Sequence, residues 1–187
     1  MKRILWIFLA TMGAAHAQDS SDPFADAAGG AKVHKASGFV CPMQIGPFER
    51  DAAGERDPQA QSDFCAYSAL DGVYGTVTLQ PLPGTYDPKA LLSPDFVVQE
   101  GIGGQIVGEV TRTLGAKGAP LAVYTRTYGT AKIETLHYRI AFASAAVGPW
   151  AVDVTVEYAD PRDNETEADF LSAVYGEVQA KIAAPAH

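Results

Sequence analysis

The sequence contains 187 residues, with 14 Lys and Arg side chains against 22 Asp and Glu, and its formal net charge at pH 7 is −8. This length suits one domain that is large enough to bury a sizeable core. The acidic balance, with no visible Lys/Arg cluster, argues against nucleic acid as a partner because phosphate contacts require a basic surface.

The first 17 residues have the features of a secretory signal peptide. Lys2 and Arg3 precede an apolar run from Ile4 to Ala10, and the segment ends in Ala15-His16-Ala17. The run is shorter than the roughly 20 residues that a membrane-spanning helix needs. We therefore expect cleavage before Gln18, no membrane span in the mature chain, and a periplasmic or secreted location. Removal of this segment changes the formal charge to −10, because it contains two basic and no acidic residues.

Residues 18–35 are rich in Asp, Ser, Ala and Gly and show no hydrophobic period, which predicts a flexible leader. His34 lies within this segment and is therefore expected in a tail. Residues 36–183 are predicted to form a single domain.

Cys41 and Cys65 are the only cysteines of the chain. In an oxidising compartment such a pair favours a structural disulfide bond. The spacing is not that of a redox-active Cys-x-x-Cys motif, and two cysteines alone make a poor zinc site. The predicted disulfide would close a loop that contains the polar run 49–63, which shows no apolar period.

Two short strands are predicted in the first half, at 38–41 and 64–68, and a longer one at 72–80. The sequence Pro81-Leu82-Pro83-Gly84 ends the last of them. Asp87-Pro88 and Ser93-Pro94 each combine a helix-capping residue with a proline that suits the first helical position.

A long helix is predicted from Pro94 to Leu114. Ile102, Ile106, Val110 and Leu114 recur every four residues, as on one face of a helix. Glycines at 101, 103, 104 and 108 weaken the prediction near its middle.

In the last third of the sequence, apolar and polar residues alternate at 120–128, 131–143 and 149–159. This alternation predicts three antiparallel strands. A two-residue turn at Gly129-Thr130 would pair Val123 with Leu136.

A closing helix is predicted from about Glu165 to Ile182, with apolar residues at spacings of three and four. We expect this helix to pack on an apolar sheet face that includes Leu136, Ile140, Val152 and Val154. The predicted fold class is therefore α+β: an antiparallel sheet, a long helix before the last three strands, and a C-terminal helix on the apolar sheet face.

The opposite, polar face of the three strands is the candidate binding surface. The turn would place Tyr124 opposite Thr135, whereas the connection at 143–149 leaves open whether Arg139 or His137 faces Asp153. An aromatic and charged sheet face suits ligand binding, although ion pairs across a solvated or helix-covered face would look the same in sequence. The candidate residues are Tyr124, Arg126, His137, Arg139, Asp153 and Glu157.

The order of elements from Ala36 to Ile182 resembles the PsbP-like α/β/α sandwich of exported and thylakoid-lumen proteins. The resemblance rests on this order and on the closing pattern Tyr138-x-Ile140-x-Phe142, Val152-x-Val154-x-Val156 and Phe170-Leu171-x-x-Val174. It implies binding and assembly in place of a shared catalytic activity. No functional motif of that family maps onto numbered positions here, so the resemblance implies no site residues, and the cysteine pair is not part of its general pattern.

We expect a soluble periplasmic binding or envelope-assembly protein without enzymatic activity or a cofactor, whose partner is an envelope protein or a small ligand. The sequence contains no Gly-x-x-x-x-Gly-Lys, His-Glu-x-x-His or Gly-x-Ser-x-Gly motif. One alternative is a small hydrolase or metal-dependent enzyme that uses His137 with Asp153 or Glu157. Another is a structural envelope protein. No metal site is predicted, because His34 and His187 lie in predicted tails.

Overall fold

The structure is a computed structural model that describes residues 22–70, 72–82, 84–92, 104–115, 119–133 and 135–182. The predicted signal peptide, residues 1–17, lies outside the described ranges. Within them, no helix has both the length and the hydropathy needed to cross a bilayer.

Eleven strands, two α-helices and a short 3₁₀ helix at Ala28–Gly30 make up the regular structure of the described residues. The strands are β1 (Phe24–Asp26), β2 (Lys32–His34), β3 (Val40–Cys41), β4 (Gln44–Ile45), β5 (Phe48–Asp57), β6 (Ser62–Ala69), β7 (Val73–Pro81), β8 (Gln105–Leu114), β9 (Leu121–Ile133), β10 (Leu136–Val147) and β11 (Trp150–Asp160). The helices are α1 (Pro88–Leu91) and α2 (Asn164–Ile182). Strands β1 to β3 form a small sheet, and the others form one antiparallel sheet in the order β4-β5-β6-β7-β11-β10-β9-β8.

Helix α2 packs on one face of the large sheet, which we call the α2 face. Phe170, Leu171 and Val174 of the helix join Val152 and Val154 of β11 in the main hydrophobic core. Each such side chain, fully buried, contributes about 1.5–3 kcal/mol to folding before chain entropy is subtracted. This core fixes the position of the helix on the sheet.

The other face carries α1, and we call it the α1 face. Leu92, directly after α1, packs with Tyr124, Tyr128 and Phe142 in a second, smaller cluster. The Leu92 carbonyl accepts hydrogen bonds from Arg126 Nη1 and from the Tyr128 hydroxyl. Asp87 begins the helix, since its Oδ1 accepts a hydrogen bond from the backbone N–H of Lys89 at 2.9 Å.

The predicted disulfide bond between Cys41 and Cys65 is present, with 6.3 Å between the two Cα atoms. Both cysteines are fully buried. Cys41 belongs to the small sheet and Cys65 to β6 of the large sheet. The bond therefore joins the two sheets covalently.

Residues 22–35, which belong to the predicted flexible leader, contain β1 and β2 of the small sheet. Phe24 and His34 are both buried, and the His34 ring makes edge contact with the ring of Trp150. Folded structure thus begins before Ala36, because a few well-placed side chains anchor a segment whose composition is typical of a linker.

The predicted long helix at 94–114, and with it the predicted fold class, is wrong. Residues 105–114 form β8, which pairs with β9 at the edge of the sheet, and residues 93–103 lie outside the described ranges. A spacing of four is also a multiple of two, so Val110 and Leu114 suit one face of a strand as well as one face of a helix. A register shift between Ile106 and Gly108 places Ile106 on the other face. The β-branched residues favour the strand, and Gly108 weakens a helix.

The predicted turn at Gly129-Thr130 is also wrong, because both residues lie inside β9. The register pairs Leu136 with Ile133, not with Val123. A β-carbon at Gly129 would lie 2.7 Å from Nη1 of Arg139. Glycine at this position therefore allows the Arg139 side chain to approach the backbone of β9 closely.

The register between β10 and β11 is neither of the two that the sequence left open, because Ser144 pairs with Asp153. Val147 pairs with Trp150, and Ala143 with Val154, so alanines of β10 share the α2 face with the valines of β11. The Ile140 side chain packs instead with the smaller cluster on the α1 face. The prediction that Leu136 and Ile140 share a face with Val152 and Val154 is therefore wrong.

The polar run at 49–63 contains most of β5, a strand that the sequence did not predict. Most of its side chains are exposed, with Phe48 as the buried exception. Because it buries little, the strand lacks the alternation that marks the others.

Candidate functional site

The six candidate residues lie on two faces of the sheet and do not form one site. His137 pairs with Asp160, and Arg139 pairs with Tyr158, which places both on the α2 face. Asp153 lies opposite Ser144, so neither His137 nor Arg139 faces it. The residues on the α1 face are Tyr124, Arg126, Asp153 and Glu157.

Tyr124 and Arg126 are buried and hold α1 on the sheet. Arg126 donates to the Leu92 carbonyl and forms an ion pair with Glu109 at 3.3 Å. Its guanidinium also lies 5.5 Å from the centre of the Tyr124 ring, within cation–π range. These contacts assign a positioning role to both residues.

Asp153 and Glu157 line a cavity of about 540 Å³ on the α1 face, which we call the α1-face cavity. Hydroxyl groups from β7 and β11, Thr78 and Thr155, contribute to its wall, and Leu92 and Phe142 add an apolar side. Such a mixture of fixed polar groups and an apolar wall is typical of small-ligand sites.

The carboxylate of Asp153 is fixed by two neighbouring strands. Ser144 Oγ donates a hydrogen bond to Oδ1 at 2.5 Å, and Gln80 Nε2 donates one to Oδ2 at 2.9 Å. The Tyr86 hydroxyl lies 2.8 Å from Ser144 Oγ. Because the serine proton is directed to Asp153, Tyr86 is the donor in that contact. The hydrogen bonds from Tyr86 to Ser144 and from Ser144 to Asp153 therefore hold the carboxylate in a fixed orientation.

Burial raises the pKa of Asp153, and the hydrogen bonds from Ser144 and Gln80 and the charge of Arg56 oppose that rise. Burial also raises the pKa of Tyr86. A perturbed carboxyl group in a cavity is a common property of functional sites.

Sequence reasoning missed Gln80, Ser144 and Tyr86, the residues that hold Asp153. Gln80 and Ser144 lie on strands that flank β11, so their approach to Asp153 depends on register. Register could not be read from alternation alone. Tyr86 follows the Pro-Leu-Pro-Gly segment and had no pattern of its own.

A Ser-His-Asp arrangement exists elsewhere, around His34. Its Nδ1 lies 2.6 Å from Ser37 Oγ, and its Nε2 lies 2.8 Å from Asp63 Oδ2. The backbone N–H of Ser37 also donates to Nδ1 at 3.2 Å, and Ser37 Oγ accepts from the Phe39 N–H. Only 1% of the His34 surface is exposed. All these polar atoms satisfy one another inside the fold, which is the pattern of a structural network.

The described residues contain no group of three or more His, Cys, Asp or Glu side chains that could hold a metal ion.

No protein-family model matches the chain, and no curated protein matches it. Among solved structures, it is similar to the solution structure of cyanobacterial PsbP (CyanoP) from Synechocystis sp. PCC 6803. The two chains are 11% identical, and the match covers 88% of this chain and 95% of that one with a TM-score of 0.44.

Proposed function

We propose that this protein is a non-enzymatic binding protein of the periplasm or the extracellular space, and that a small polar ligand occupies the α1-face cavity. The observation that carries the proposal is the carboxylate of Asp153, held in the cavity wall by Ser144 and Gln80. Polar groups that are fixed before the ligand arrives lower the entropic cost of binding.

The charge of the cavity favours an uncharged or cationic ligand. Asp57, Asp153 and Glu157 line it together with one basic residue, Arg56. An anion would meet an excess of carboxylates, whereas hydroxyl or ammonium groups would find acceptors.

The position of the histidines supports binding over catalysis. His137, the candidate base of the enzymatic alternative, pairs with Asp160 on the other face of the sheet. His34 already uses both ring nitrogens in contacts with Ser37 and Asp63. A general base must reach the proton that it removes, and neither ring is placed to do so in the cavity.

Two features support the proposed location. Residues 1–17 have the pattern of a signal peptide. A buried disulfide bond joins the two sheets, and disulfide bonds form and persist mainly in oxidising compartments.

The test is an NMR titration of the ¹⁵N-labelled chain with three probes: glucose as a neutral polyol, putrescine as a dication and citrate as an anion. We expect glucose or putrescine to shift the amide signals of Thr76, Thr78 and Thr155, and citrate to leave them unchanged. The matched variant Ser144→Ala, which releases Asp153, should weaken the response at least threefold. No response to either of the first two probes, or a response to citrate alone, contradicts the proposal.

A hydrolase centred on Ser37, His34 and Asp63, whose side chains are in contact, is tested separately with a fluorophosphonate probe, which labels activated serines. We expect no labelling of Ser37. Labelling that disappears in the Ser37→Ala variant would favour a hydrolase.

A further inference from the structure

A second cavity, of about 580 Å³, lies on the α2 face where the start of α2 meets β8, β9, β10 and the end of β11. We call it the helix-end cavity. Charged groups of both signs line it, Arg112 and Arg139 against Asp160 and Glu167, and Val107 and Leu114 add apolar surface. It is separated from the α1-face cavity by the sheet itself.

Glu167 is the unusual member of this group. Its side chain is 4% exposed, and Oε2 accepts a hydrogen bond from Arg112 Nη1 at 3.1 Å. The second oxygen, Oε1, is buried and has no hydrogen-bond partner among the described residues. A buried acceptor without a partner costs about 1–3 kcal/mol, and more when it is charged. This oxygen is therefore suited to a donor group supplied by a ligand.

Arg112 and Arg139 supply hydrogen-bond donors in the same cavity. Arg139 donates to Asp160 Oδ2 at 3.0 Å, and Asp160 Oδ1 accepts from Asn164 at 2.9 Å. The Arg139 guanidinium lies over Gly129, where a side chain would collide with it. Each guanidinium has five N–H donors, and its planar fork matches the geometry of a carboxylate. The cavity thus offers donors for an anionic group beside an acceptor for a cationic one.

We propose that the helix-end cavity binds an α-amino acid in its zwitterionic form. The ligand carboxylate contacts Arg112 and Arg139, and its ammonium group donates to Oε1 of Glu167. Two positive and two negative side chains leave the lining electrically balanced, which favours a ligand without net charge.

The spacing of the charged side chains also limits the length of the ligand. Arg112 and Glu167 are in direct contact, so the two charged groups of the ligand must be separated by few bonds. An α-amino acid meets this condition, and an ω-amino acid with a long chain does not. Val107 and Leu114 offer contact to an apolar ligand side chain, for which leucine is a suitable probe.

The inference does not rest on the proposed function, because the two cavities lie on opposite faces of the sheet. Failure of either titration leaves the other interpretable.

The test is calorimetric titration of the full chain at pH 7 with L-leucine, N-acetyl-L-leucine and L-leucinamide. The acetyl group removes the ammonium charge and the amide removes the carboxylate. We expect saturable binding of leucine and at least tenfold weaker binding of both derivatives. Absence of leucine binding, or equal affinity for all three compounds, overturns the proposal.

A pair of variants on the same helical turn locates the site. Glu167→Gln should lose at least tenfold in leucine affinity, because a neutral amide no longer attracts the ammonium group. Glu165→Gln makes the same charge change at an exposed position outside the cavity and should leave the affinity unchanged. Leucine affinity in Glu167→Gln equal to that of the wild type overturns the proposal. If Glu167→Gln fails to fold in a thermal unfolding control, the comparison of the three compounds on the wild type remains decisive.

Discussion

The ring of Phe170 lies directly over Gly75, so that a β-carbon at this glycine would be 2.5 Å from the ring Cζ. Gly75 belongs to β7 and Phe170 to α2. The ring cannot move away freely, because it is buried and also contacts the rings of Phe48 and Tyr67. The absence of a side chain at Gly75 therefore sets how closely α2 approaches the sheet.

Gly75→Ala is expected to destabilise the protein by about 1–3 kcal/mol through overpacking. Phe170→Leu in the same chain should recover part of this loss, since the two residues are in contact and their effects couple. Urea denaturation monitored by circular dichroism measures both effects.

Gly54→Ala on β5 is the matched control, because its β-carbon would lie at an ordinary 3.8 Å from Phe64. We expect a change within about 0.5 kcal/mol, or a small gain. Equal destabilisation by Gly75→Ala and Gly54→Ala would show that the packing of Phe170 is not the cause.

Reduction of the Cys41–Cys65 bond is expected to lower the free energy of unfolding by about 3–4 kcal/mol. The two cysteines are 24 residues apart, and the estimate follows from the chain entropy of a loop of that length. Denaturation with and without a reductant gives the value, and mass spectrometry after thiol alkylation confirms the redox state. Two free thiols in the untreated exported protein would refute the disulfide bond.

The presence of β9, β10 and β11 could be predicted from alternation, but their register could not. Val147 pairs with Trp150 across the tight connection at Gly148-Pro149, which puts odd residues of β10 beside even residues of β11. A shift of one residue moves every side chain to the other face. This parity is what separates His137 and Arg139 from Asp153. Its local signal is the two-residue connection Gly148-Pro149, in which Gly148 has a φ of 58°, and alternation within the strands does not carry it.

The environments of His137 and His34 could not be predicted from the local sequence either. His137 stands in a clear strand pattern, yet it is exposed at the end of β10. His34 stands in a segment with the composition of a linker, yet it is buried against Phe24 and Trp150. Composition records the average behaviour of a segment, whereas contacts to residues distant in sequence decide where a single ring lies.

His34→Ala is accordingly expected to cost about 2–4 kcal/mol, because it removes two ring contacts and leaves Asp63 without its partner. Limited proteolysis should then cut the small sheet first. The matched change His137→Ala, at an exposed position, should stay within about 0.5 kcal/mol. A larger loss for His137→Ala than for His34→Ala is the outcome that contradicts this assignment.

Asp153 should make the stability of the protein depend on pH in a particular direction. Burial raises its pKa in the folded state, so between its ordinary value and the raised one the folded chain holds more protons than the unfolded chain. The contribution of Asp153 to stability is therefore complete below the ordinary pKa of about 3.9 and is lost as pH rises through the raised pKa. Asp153→Asn removes this titration, and its stability relative to the wild type should increase from about pH 3 to about pH 7.

Asp26→Asn provides a control of opposite sign. The hydrogen bond from Lys32, at 2.8 Å, lowers the pKa of Asp26, so Asp26 contributes stability that is present at neutral pH and lost as pH falls. Relative to the wild type, this variant should become less stable as pH rises over the same range. Denaturant titrations at several pH values measure both differences. A flat or decreasing difference for Asp153→Asn would mean that the carboxylate in the α1-face cavity is better solvated than its hydrogen-bonded position on the sheet indicates.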